Sequence, residues 1–164
     1  SLCIQLPGKE IIATNTIGMP NYIHPLTKEA ALYVASNLRE DDRREMEEGH
    51  GLPALTAAIY PLEDDCVYFE VPNGETAGMA GVGPDGSIWM LCTDAIHKYP
   101  LTFAREAKRF IESRTEPVLW NIVDSRNKAH LKLLKWLGFE FIEEFEYGPN
   151  NIPFIEFHKW QLEQ

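Results

Sequence analysis

Few side chains in this 164-residue chain combine a reactive type with a local pattern that would place it for chemistry. Cys92 closes the apolar run 88–93, where a thiol acts either as a nucleophile at a strand end or as an inert core group, the commoner outcome. Lys98 stands two residues before Pro100, whose fixed φ and missing N–H suit the first turn of a helix. A cation and a helix start there could attract a phosphate. Asn127 opens a further helical pattern, as a cap or as an amide that holds a ligand. His130, one turn on, could carry a proton near neutral pH or sit as a partly exposed helix histidine. Glu70 and Glu75 are the acids nearest in sequence to a sheet-borne general base, and nothing distinguishes them from solvated strand ends.

Metal chemistry is not expected. Cys3, Cys66 and Cys92 are odd in number and form no Cys-x-x-Cys pair, and the five His form no His-Glu-x-x-His. Neither a zinc site nor a disulfide framework follows, and a reducing compartment suits such a set. The net charge of -10 argues against general nucleic-acid binding. That charge is uneven. Residues 97–135 hold nine Lys/Arg against four acids, a local +5, so the remainder carries -15. A basic stretch of this kind is a solvated pair of helix faces, or a surface for a phosphorylated ligand or an acidic partner. No apolar run approaches the ~20 residues of a membrane span, and residues 1–26 lack the pattern of a signal peptide.

The elements that must position these residues read in order. Residues 1–22, with Pro7, Gly8, Gly18 and Pro20, form an arm with at most one short strand; residues 23–164 form one domain. A brief strand at 23–26 ends at Thr27, a good N-cap. Ala30, Val34 and Leu38 recur at helical spacing, and the helix is expected to run on through the charged stretch 39–48, a solvated face, to Gly49. A shorter helix is expected over 52–60. Strands follow at 66–71, 77–82 and 88–93, then a helix from Pro100 with Phe103, Ala107, Phe110 and Ile111 inward. The run 118–123 reads as a strand covered on both faces. A helix over 127–137 ends at Gly138 in the left-handed conformation. Phe139, Phe141, Phe145 and Tyr147 alternate with Glu140, Ile142, Glu144 and Glu146 as a half-buried strand. A last strand covers 152–158. The expected fold class is mixed α/β: a central mixed sheet of six to seven strands with helices on both faces.

Two segments carry a family resemblance. Ile23-His24-Pro25-Leu26-Thr27 resembles the first strand and cap of GNAT acetyltransferases, and Asn127 to Phe139, ending Trp-Leu-Gly-Phe, resembles their late helix and turn. The resemblance covers 22–158. It implies acetyl-CoA as cofactor, a cleft between the central strand and the Val118 strand, and Leu91, Thr93, Lys98 and Asn127 as the residues beside the cofactor. The chain departs from the family pattern twice. The glycine-rich pyrophosphate slot reads His97-Lys98-Tyr99-Pro100-Leu101-Thr102, with no glycine. Leu134 occupies the position of the tyrosine that protonates the departing thiolate, leaving His130 as its candidate replacement. A side chain of Tyr99 or Leu101 plugging the cleft would count against catalysis.

The stretches 33–42, 89–94, 123–127 and 133–139 are also similar to degenerate GNAT-like internal virion proteins of short-tailed phages. That resemblance implies a structural, assembly or ejection role in the virion or host cytoplasm. The partners would be phage or host proteins, with no cofactor and no catalysis. The alternative is an acetyl-CoA-dependent N-acetyltransferase with an atypical pyrophosphate loop.

Overall fold

A computed structural model of the chain describes residues 4–6, 9–11, 21–58 and 65–161. Strands β1 (Ile4–Leu6) and β2 (Lys9–Ile11) form an antiparallel hairpin within residues 1–22, two strands where at most one was expected. In the domain, β3 (Ile23–Pro25) precedes α1 (Lys28–Ser36), α2 (Glu40–Arg44), a π-helical stretch (Glu45–His50) and a 3-10 helix (Ala54–Ala58). Then come β4 (Val67–Glu70), β5 (Thr76–Val82), β6 (Ile88–Cys92), α3 (Ala95–Lys98) and α4 (Pro100–Glu112). The order closes with β7 (Val118–Asp124), α5 (Lys128–Trp136), β8 (Glu140–Tyr147) and β9 (Ile152–Trp160).

The seven strands β3–β9 form two antiparallel sheets, β3-β4-β5-β6 and β7-β9-β8. Among the described residues their strands bond to each other near the start of β6 and β7. Ser87 and Trp120 form a single parallel bridge, Trp120 N donates to Gly86 O at 3.1 Å, and Asn121 Nδ2 donates to Ile88 O at 2.7 Å. Beyond that vertex the two strands diverge, and a V-shaped cleft opens between them.

Helices cover both faces. Met79, Leu91 and Trp89 pack with Ala31, Val34 and Ala57 of α1 and the 3-10 helix. On the opposite face Phe69, Cys92 and Met90 pack with Phe103 of α4 and Leu133 of α5. A third cluster, including Ile88, Ile111, Val123 and Phe157, binds the second sheet to the same two helices.

Several expected features hold. Thr27 caps α1, its Oγ1 accepting from Ala30 N at 3.1 Å; Pro100 begins α4; Gly138 ends α5 with φ +91°. Three do not. The expected continuous helix over 27–48 breaks after Ser36, because Leu38 bridges to Thr93 and Arg39 N donates to Cys92 O at 2.9 Å. The backbone there bonds to β6 instead of continuing its own ladder. The short α3 was not foreseen. In β8 the expected buried face is only partial: Phe145 and Tyr147 are half-buried between exposed Glu144 and Glu146, but Phe141 and Ile142 are both exposed, where a register irregularity between Phe141 and Glu144 interrupts the alternation. The helix expected over 52–60 is a 3-10 turn, and positions 59–60 lie outside the described residues.

Gly86, at the vertex, has φ +84°, and a Cβ there would stand within 2.3 Å of Val118 O. At Gly138 the same substitution meets only the flexible end of Lys159. Gly138→Ala should therefore lose about 1–2 kcal/mol from backbone conformation alone, and Gly86→Ala clearly more, because β7 must also move. Urea unfolding of the two variants measures the difference; equal losses would refute the vertex assignment.

Candidate active site

The hydrogen-bond parity of β6 defines what the cleft offers. Antiparallel partners alternate between pairs that exchange both hydrogen bonds and pairs that exchange none. Gly83 N donates to Ser87 O and Thr93 N to Ala77 O, each at 2.9 Å. The register between them then points the N–H and C=O of Ile88, Met90 and Cys92 away from β5. Asn121 takes the Ile88 carbonyl. At Cys92, the carbonyl accepts from Arg39 N and the N–H donates to Asp42 Oδ2 at 2.7 Å. Between them, nothing among the described residues bonds to the outward groups of Met90. They face a cavity of about 460 Å3 whose lining includes Glu45, His50, Trp89, Val123, His130 and Leu134.

A buried polar network closes the wide end of the V. Arg39 is 4% exposed, Asp42 1% and Asn127 1%. Arg39 Nη1 donates to Asp42 Oδ1 at 2.6 Å and to Asn127 Oδ1 at 3.0 Å, while Arg39 Nε donates to His97 Nε2 at 3.2 Å. Asn127 Nδ2 completes the ring by donating to Asp42 Oδ1 at 2.9 Å. Asn127 thus precedes α5 without capping it through its side chain. His130, expected to be partly exposed, is only 5% exposed, and its Nε2 lies 3.4 Å from Asp42 Oδ1 without a hydrogen bond. Burial depresses the basicity of this imidazole, with Asp42 opposing, so it is neutral at pH 7.

Glu45 is the most perturbed acid. Its Oε1 accepts from Asp124 N at 2.9 Å. Burial, reinforced by the charge of Asp42, pushes its pKa up to about 8. Asp124 itself is held by Arg126 at 2.7 Å, and Arg126 also reaches Glu48 at 2.9 Å. His50, likewise on the cleft, has its basicity lowered by burial and shares a 3.1 Å hydrogen bond with the Tyr147 hydroxyl. Burial pushes the Cys92 thiol well above its ordinary range, as a core group and not an activated nucleophile.

The residues singled out from the sequence are only partly brought together. Leu91, His130 and Leu134 line the cleft, and Asn127 lies behind it in the network. Thr93 is buried, its Oγ1 donating to Thr76 O at 3.0 Å. Lys98 is exposed and paired with Glu75 at 2.7 Å, and neither lines the cleft. Tyr99 packs into the core beside Phe69 and Phe103, and Leu101 is 78% exposed; neither lines the cleft. Arg39, Asp42 and Glu45 were missed because the charged run 39–48 read as a solvated face, and His50 because it lies just past the expected helix end at Gly49. One signal was present: Asp42 continues the four-residue spacing of Ala30, Val34 and Leu38, so it falls on the apolar stripe.

Comparison with solved structures shows that the fold is that of the GNAT acetyltransferases. A ribosomal-protein-alanine N-acetyltransferase from Brucella melitensis superposes with a TM-score of 0.63 at 16% identity, over 85% of this chain and 99% of its own. A spermidine N-acetyltransferase from Vibrio cholerae, solved with CoA and spermine, gives 0.61 at 9% identity over 85% and 94%. A GNAT-family acetyltransferase from Bacillus anthracis gives 0.61 at 8% identity over 84% and 93%. No family model matches the sequence, and no curated protein does. No helix among the described residues is long and apolar enough to cross a membrane.

Removing Asp42 leaves the Arg39 guanidinium buried without its closest carboxylate. Asp42→Ala should cost about 3–5 kcal/mol, the range for breaking a buried ion pair; a loss below 1 kcal/mol, roughly what an exposed pair is worth, would show that the network is not stabilising. Glu45 has the opposite sign. Its folded-state pKa lies above the unfolded value, so its favourable contribution is complete below about pH 4.5 and disappears as pH rises to about 8. Glu45→Gln keeps an acceptor for Asp124 N and should stabilise the protein increasingly from pH 5 to 8, with a constant gain above. A pH-independent difference in melting temperature would contradict the burial of this carboxyl.

Proposed function

We propose that this chain transfers an acyl group from an acyl-coenzyme A thioester to an amine. The observation that carries the reading is the open edge of β6: the Met90 N–H and C=O face an unplugged cleft in a GNAT fold. The solved neighbours that contain CoA, among them the Vibrio cholerae enzyme, support the cofactor class. An extended arm bearing amide groups pairs with Met90 as a missing strand would, and the splayed sheets leave room for it. The thioester carbonyl carbon is the electrophile: an amine nitrogen attacks it, the C–S bond breaks, and the coenzyme leaves as a thiolate that takes a proton from solvent. The ammonium form cannot attack, so a proton must leave. Glu45, on the cleft wall with a carboxyl poised near pH 8, is the group best matched to accept it. When bound, the coenzyme supplies the activated acyl group; this chain supplies the strand edge, the enclosed cavity and the proton acceptor.

A second reading is a virion-associated role on the same scaffold, with phage or host proteins as partners. Its support lies in the slot 97–102, which has no glycine, and in Asn127, whose amide is consumed by Arg39 and Asp42. Detection of the chain in purified virions is its direct test.

Thermal unfolding with millimolar acetyl-CoA separates the two. Ligand at ~100 times its dissociation constant adds about 2.7 kcal/mol, a rise of several degrees for a domain of this size. Met90→Pro removes the outward N–H and no β5–β6 ladder bond, so it should fold and lose that rise. With an amine acceptor, turnover should increase as pH passes through about 8, where Glu45 becomes the carboxylate, and Glu45→Gln should abolish that limb. No thermal shift with acetyl-CoA or CoA would sink the enzymatic reading.

A further inference from the structure

We propose that Asp42, Cys92 and His130 form a binding site for one divalent cation of the zinc class. One ligand atom from each residue lies within 4.8 Å of the other two, and all three residues are buried. A second observation points the same way. His130 Nε2 is buried and has no hydrogen-bond partner, although the rest of the surrounding network is closely bonded. A buried polar atom without a partner carries a desolvation cost, and a cation between the three side chains removes it.

The donor set selects the metal. Imidazole nitrogen and thiolate sulfur favour zinc over magnesium or calcium, which take oxygen. Ligand atoms around a tetrahedral zinc stand ~3.3–3.8 Å apart, so side-chain movements on the order of 1 Å close the site. His130 also lines the cleft, which leaves a fourth position facing the cavity for water or a ligand. Asp42 is already oriented: Arg39 and Asn127 donate to Oδ1, and Cys92 N to Oδ2. Metal-bound carboxylates are held by outer hydrogen bonds of this kind.

Charge balances. On binding, the Cys92 S–H bond breaks, its proton is released to solvent, and a sulfur–metal bond forms, with no oxidation or reduction. Thiolate and Asp42 together offset the two charges of the ion. Arg39 keeps Asp41 as its own counter-charge at 3.3 Å. The cysteine and histidine spacings read from the sequence exclude only ligand sets built within one short segment. This set comes from α2, the end of β6 and α5, and it does not depend on acyl transfer.

The test is titration of the full-length reduced protein with Co2+, an optical substitute for zinc. The expected result is one equivalent bound with a thiolate-to-cobalt charge-transfer band, displaced by Zn2+. The band should persist in a Cys3→Ser/Cys66→Ser variant, where Cys92 is the only thiol, and vanish in Cys92→Ser. Asn127→Ala, which removes an outer hydrogen bond, should weaken binding by about 10–100-fold. No band in the wild-type protein, no band in the variant that retains only Cys92, or a band that survives Cys92→Ser would each overturn the site. Because the double variant leaves the buried network untouched, a failure of Cys92→Ser to fold does not remove the test.

Discussion

The divergence of β6 from β7 is the constraint on which the rest of the structure depends. A strand that ends a sheet inside a protein presents backbone donors and acceptors that water cannot reach, and these must find partners. Here the partners come from side chains and from a helix start. Asn121 takes the Ile88 carbonyl, and Arg39 and Asp42 take both groups of Cys92. The break between α1 and α2 follows from this demand. A continuous helix would keep its backbone bonds to itself and could not deliver Leu38, Arg39 and Asp42 to the end of β6.

Closing the cleft in this way brings charge into the interior. Asp42, Glu45 and Asp124 lie near one another, with Arg39 and Arg126 as the cations paired to the two aspartates. Asp41 and Glu48 share the same two guanidiniums, so Glu45 is left with no cation of its own. Burial first, and the charge of Asp42 second, make Glu45 retain its proton to about pH 8. The same excess of negative charge makes a proton available on the cleft wall and makes a cation welcome at Asp42. A reactive group and a strained charge balance are here one feature, as perturbed acids in clefts often are.

A GNAT fold by itself does not decide between a transferase and a structural protein. The cleft geometry favours ligand binding, since the side chains feared as plugs, Tyr99 and Leu101, lie elsewhere. The absent glycines weigh on the phosphate side, and the engaged Asn127 weighs on the arm that its family counterpart holds.

The sequence alone determined the frame. Helical and alternating periodicities placed most elements, Thr27 and Gly138 marked two helix ends through local backbone chemistry, and Leu-Gly-Phe marked the turn into β8. Such signals survive because they arise from residues close together in the chain. The exposed part of the β8 face escaped, because an edge position and a register irregularity are properties of the sheet and not of the strand. The site escaped for the same reason. In the charged run 39–48, Asp42 and Arg39 resemble their solvated neighbours until β6 arrives beside them. Only the tertiary structure decided which carboxylates would lose water, and desolvation by distant segments is what makes Glu45 hold its proton and leaves His130 without a partner.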